Sequence, residues 1–214
     1  MSIRALVRRP TFWLGLALWV AVGVAVVLLL RARPMTASVP PALGAAPSFA
    51  LVRMEGTPIS DRDLRGAPYV ANFVFTRCQS ICPMLTSRMV QLQRRSAEHG
   101  LPVQLVSFSV DPEYDTPERL RAYATNAGAD PARWTFVTGP LAAMRQVVVA
   151  GFGTVMDPVR ATSSSGAGLI DIAHSARFVV VDARGQIRGH FETSDEGLAQ
   201  IIATLRTLRD EERQ

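Results

Sequence analysis

The stretch Val70-Ala71-Asn72-Phe73-Val74-Phe75-Thr76-Arg77-Cys78-Gln79-Ser80-Ile81-Cys82-Pro83-Met84 decides the fold. An apolar, aromatic run gives way to a polar break with two cysteines and a proline, after which Leu85, Met89 and Leu92 fall at helical spacing. The pattern predicts strand, loop, helix. Pro83 suits the first helical turn, where its missing N–H removes nothing that would have been bonded, so the cysteines sit at a helix N-terminus. Unpaired N–H groups and the positive end of the helix dipole stabilise an anion there, which predicts a depressed pKa for at least one thiol. A spacing of four brings Cys78 and Cys82 onto one helical face, where they can close a disulfide or share one metal ion. Thioredoxin-like dithiols have two intervening residues; the three found here make a wider pair and tilt the balance toward metal.

Outward from this stretch, the chain of 214 residues holds one ordinary domain and an additional N-terminal piece. Phe12 to Leu30 is 19 residues without a charge, the length of a membrane span. Arg4, Arg8 and Arg9 precede it while Arg31 and Arg33 follow, which favours a cytoplasmic N-terminus and an outward-facing domain. The apolar run exceeds the usual signal-peptide core of roughly 7–15 residues, so retention as an anchor is expected, although small residues near Thr36-Ala37-Ser38 and Gly44-Ala45-Ala46 would allow cleavage. No long Arg- and Ser-rich presequence precedes the span, which points to a bacterial inner membrane. The predicted layout is a cytoplasmic N-terminus over 1–11, a span over 12–30, a Pro/Ala-rich tether over 31–47 and a domain over 48–214.

Net charge excludes one class of partner. All 23 basic residues are Arg; residues 1–46 hold five of them and no acid, leaving 18 basic against 18 acidic residues in the rest. A domain without net charge lacks the electrostatic footprint for nucleic acid. The absence of Lys excludes Schiff-base chemistry.

Within the domain, strands are predicted at Phe49 to Val52, Val103 to Val110 and Trp134 to Val137, with a hairpin formed by Phe178 to Val181 and Gln186 to Phe191. Ser60 to Gly66 reads as a single helical turn. Helices are predicted from about Pro83 to Glu98, from a cap at Asp115 or Thr116 to about Asn126, from Gly139-Pro140 to about Ala150, and from an Asp195 cap to about Leu208. Val159 to Gly168 reads as loop. Alternating strands and helices make an α/β sheet covered on both faces, and the strand–CxxxC–helix opening makes it thioredoxin-like.

Three segments, Phe73 to Pro83, Ser109-Val110-Asp111-Pro112-Glu113-Tyr114-Asp115-Thr116-Pro117 and His174-Ser175, together resemble the Sco/SenC family over roughly Pro47 to Leu208. That family consists of membrane-anchored copper proteins that help assemble cytochrome c oxidase. The resemblance implies copper bound by Cys78, Cys82 and His174, with Asp111 in a supporting role that fixes or screens a ligand. Two thiolates and an imidazole suit Cu(I), whereas structural zinc would want a fourth ligand. It implies a copper-binding oxidase subunit as recipient, other copper chaperones or thiol oxidoreductases as further partners, and a periplasmic setting. Gln79-Ser80 departs from the Pro-Asp often found between these cysteines, a position that tunes partner contacts and redox potential.

Plainer readings stand beside these. A structural bridge across so short a loop would remove little chain entropy. Asp115 reads as a helix cap, His99 as a dipole-complementing residue in a last turn, His190 as a solvent-face residue, and Met84 and Met89 as core. The functional rivals to copper transfer are a thiol–disulfide oxidoreductase acting on the recipient's cysteines, for which Cys78 and Cys82 suffice, and, more remotely, a thiol peroxidase using Thr76 and Arg77 around one cysteine.

Overall fold

The computed structural model describes residues 19, 22–23, 39–78, 82–154, 156 and 177–213. The chain divides into two compact units, Met1–Ser38 and Val39–Gln214; the account below concerns the second. Among the described residues no helix is long and apolar enough to cross a membrane. The expected span over 12–30 lies almost wholly outside those residues, as do the 159–168 loop and His174.

Eight strands form one mixed sheet: β1 (Gly44–Ala45), β2 (Ala50–Arg53), β3 (Pro58–Ser60), β4 (Tyr69–Val74), β5 (Gln104–Ser109), β6 (Trp134–Thr138), β7 (Arg177–Val181) and β8 (Gln186–Glu192), in the spatial order β1-β8-β7-β4-β5-β6-β2-β3. The centre, β4-β5-β6, is parallel, and the strands outside it pair antiparallel. All six residues of β4 are buried, as a strand covered on both faces requires.

Among the described residues four α-helices cover this sheet: α1 (Cys82–Glu98), α2 (Pro117–Ala127), α3 (Leu141–Arg145), which runs on as a π-helical turn over Gln146–Gly151, and α4 (Asp195–Glu212). Met89 and Leu92 of α1, Leu120 and Ala124 of α2, and Leu198, Ile201 and Leu205 of α4 cover Val70, Val74, Leu105 and Phe136 on one face. Met144, Val147 and Val148 cover Ala71, Phe73, Val106 and Phe108 on the other. The thioredoxin-like α/β expectation therefore holds, helices on both faces included.

The differences are local. Gly44–Ala45, expected in the tether, pairs with β8, and Arg188 Nη1 donates to Pro40 O at 2.9 Å, so ordered structure begins earlier than composition suggests. β3 pairs with β2 where no strand is predicted, and Ser60, expected to open the helical turn, is its last residue. Ser194 rather than Asp195 caps α4, its hydroxyl accepting from Gly197 N–H at 3.1 Å. Met84 is 46% exposed while Met89 is fully buried. The inner stripe of α1 runs Cys82, Leu85, Met89, Leu92, and Met84 falls off it.

Candidate metal centre

Parallel pairing places the site. Val74 at the end of β4 lies opposite Ser109 at the end of β5, so the chain leaves both strands at the same end of the sheet, where α/β folds hold their ligands. From β4 comes the dithiol loop, and from β5 the Asp111–Thr116 turn.

Neither Cys78 nor Cys82 is joined in a disulfide; Cys78 is partly exposed and Cys82 is 2% exposed. A turn between Phe75 O and Cys78 N–H (3.2 Å) folds the loop back, and the Cys82 N–H, at the start of α1, donates to Cys78 Sγ at 3.4 Å. An N–H aimed at sulfur from a helix start supports an electron-rich sulfur at position 78. The depressed pKa expected of this helix end does not hold for Cys82. Burial pushes its thiol up to about 12, with contact from Cys78 and the charge of Asp115 acting in the same direction and a backbone hydrogen bond at Phe75 opposing them. Desolvation outweighs the helix dipole because this sulfur faces the interior.

Asp111 reaches the site's edge without meeting either sulfur among its described bonds. Its Oδ2 accepts from Arg77 Nε at 2.5 Å, with side-chain exposures of 8% and 53%. The Arg77 guanidinium lies 4.9 Å from the Tyr114 ring centroid and that of Arg119 lies 3.9 Å from it, so one aromatic ring carries two cations beside the dithiol.

Asp115 is not the helix cap. Thr116 is, accepting from Arg119 N–H at 3.4 Å, with Pro117 opening α2. Asp115 is instead fully buried, and its Oδ1 accepts from both Thr76 N–H (3.1 Å) and Thr76 Oγ1 (2.6 Å), while its Oδ2 accepts from Ser109 Oγ (2.6 Å). Burial raises its pKa above the usual carboxylate range, the three hydrogen bonds partly offsetting that, with the charge of Asp111 adding to the rise.

Cys78, Cys82 and Asp111 thus share one end of the sheet, and Thr76 and Asp115 join them. Among the described residues no group of three or more His, Cys, Asp or Glu side chains is arranged to hold a metal; the predicted third ligand, His174, lies outside those residues. His99 is exposed at the end of α1, and His190 is exposed on β8, its pKa lowered by partial burial and by Arg177.

A model of the SCO1/SenC family matches residues 40–210. Among curated proteins, the "SCO1 protein homolog" of Bacillus subtilis is 37% identical over 91 residues, 42% of this chain and 47% of that protein, so this match spans about half the relative's length. The "Putative copper-binding protein" of Stutzerimonas stutzeri is 30% identical over 161 residues, 74% of this chain and 75% of its own. A solved structure of BsSco is described as having a disulfide switch and as a member of the Sco family of cytochrome c oxidase assembly proteins. It covers 79% of this chain and 96% of its own at 24% identity, with a TM-score of 0.68, and so shares the fold.

Proposed function

The chain belongs to the SCO1/SenC family, and on that premise we propose that it is a membrane-anchored copper chaperone, taking copper as cargo and delivering it to the copper-binding subunit of cytochrome c oxidase. The observation that carries this reading is the pair of unbridged cysteines at the start of α1, one partly exposed and one buried, with the Cys82 N–H aimed at the Cys78 sulfur. Two soft sulfur donors fit Cu(I), and a partly exposed first cysteine suits a cation that must arrive and leave by ligand exchange. The relative named for copper binding and the one described as an oxidase assembly protein support the same choice of cargo and recipient.

Cys78 and Cys82 serve as thiolate ligands and His174 as the third. Since Cys82 is protonated at neutral pH when no metal is present, binding Cu(I) there displaces a proton. Asp111 acts through Arg77, keeping a guanidinium over the loop while standing clear of the metal. The charge-free run over 12–30 and its flanking arginines support a single-pass anchor in the bacterial inner membrane, with the domain in the periplasm. The test is anaerobic reconstitution with Cu(I): His174→Ala lowers affinity and alters the absorption spectrum, and an unchanged affinity and spectrum would remove His174 from the site.

A second reading rests on the unequal burial of the two sulfurs. The reachable Cys78 thiolate attacks a recipient disulfide, forming a mixed disulfide and releasing one recipient thiolate. Cys82, giving up its proton, then attacks Cys78 Sγ and frees the second. The recipient gains two electrons and the pair ends as the Cys78–Cys82 disulfide. Failure of the reduced protein to convert a recipient peptide's disulfide to its dithiol would exclude this role.

A further inference from the structure

The segment carrying Cys78 is tied to a neighbouring turn. Thr76, two residues ahead of the cysteine, donates both its N–H and its hydroxyl to one oxygen of Asp115, and the other oxygen takes the hydroxyl of Ser109, at 2.6 to 3.1 Å throughout. Ser109 Oγ in turn accepts the N–H of Asp111 at 3.1 Å, and Asp115 N–H donates to Asp111 O at 2.9 Å. The carboxylate is therefore held from the β5 side and holds Thr76 on the other. Burying such a group completely costs several kcal/mol unless every oxygen is matched, and a filler for that space would be apolar. Here both oxygens are matched, by donors on the two turns that form the site.

We propose that Asp115 is the positioning residue of the dithiol. By fixing Thr76 it sets where the Phe75–Cys78 turn can close, and so keeps Cys78 Sγ within reach of the Cys82 N–H in the state that receives Cu(I) or a partner's sulfur. Asp111 does a different job on the same turn, since its partner Arg77 is half exposed and its bond can open to water without releasing Thr76.

The copper part of this inference rests on the function proposed above; the positioning itself does not, so the experiment has one readout with metal and one without. In reduced, metal-free full-length protein, Asp115→Ala is expected to speed hydrogen exchange at the Cys78 and Cys82 amides by about tenfold or more, while the amides of Ala71, Phe73 and Val106 in the strands stay within about twofold. Competition against a Cu(I) chelator is expected to show an affinity about tenfold lower. Asp115→Asn, which keeps an oxygen toward Thr76, recovers most of both. Unchanged exchange at the loop, or an equal rise in loop and strands, would overturn the proposal. Should Asp115→Ala not fold, Thr76→Val removes one bond from the same clamp and is expected to speed loop exchange about fivefold; no change in that variant overturns the proposal equally. A wild-type protein that binds no Cu(I) sinks the copper reading and leaves the exchange pattern to decide the clamp.

Discussion

Two turns leave adjacent parallel strands at one end of the sheet, and they are stabilised in opposite ways. The turn after β5 bonds to itself: Tyr114 and Asp115 N–H both donate to Asp111 O, Asp111 N–H to Ser109 Oγ, and Thr116 caps the helix that follows. The turn after β4 leans on its neighbour through Thr76 and Arg77, and carries the two sulfurs. On the function proposed above, a loop that opens to a cation or a partner gains from having its order supplied from outside. The rigid turn can then keep its shape while the loop exchanges ligands, a division of labour in which one element is stable so that the other can be responsive.

The comparison breaks most severely at Asp115. Asp115→Ala leaves the Thr76 N–H and the hydroxyls of Thr76 and Ser109 without their acceptor and is expected to cost about 3 kcal/mol, read from urea denaturation at neutral pH. Thr116→Ala attacks the self-sufficient turn alone and costs about 1 kcal/mol by the same measurement, with loop exchange unaltered. Asp111→Ala separates a pair whose arginine is half exposed and costs about 0.5 kcal/mol, so an effect as large as that of Asp115 would show that both carboxylates act as one unit.

The finest test is in pH. Asp115 has a raised pKa in the folded protein, so its contribution to stability is complete below the unfolded carboxylate value of about 3.9 and is lost as pH rises through the higher folded value. Wild type should therefore lose stability relative to Asp115→Asn as pH climbs through that window. Parallel stability curves for the two proteins would mean that the carboxylate is not desolvated as described.

Periodicity exposed most of the fold. β4 and β5 are apolar runs of strand length, α1 carries its stripe at helical spacing, and Gly128, with φ 75°, stops α2 where a left-handed residue is needed. Gly44–Ala45 was hidden because two small residues adding to an edge leave no side-chain signature. The π-helical turn at Gln146–Gly151 was hidden because its apolar residues fit an ordinary helix equally well. At the site, the cysteines and Asp111 were visible as residue types in suggestive places. Asp115 was misread because Asp followed by Thr and Pro fits a cap with either residue. Only the pairing of Val74 with Ser109, which brings Thr76 within 2.6 Å of the carboxylate, separates the two choices. The burial of Cys82 was likewise unavailable locally, since it depends on which face of α1 meets the sheet.

The rims of the sheet carry their own consequence. One ends in β1, two residues long, and the other in β3, three residues long and opening with Pro58, which has no N–H to offer. Neither rim gives an incoming strand much to zip onto, so copies crowded together should stay separate rather than polymerise. On the function proposed above, a recipient protein would meet the loop end, where Cys78 is partly exposed.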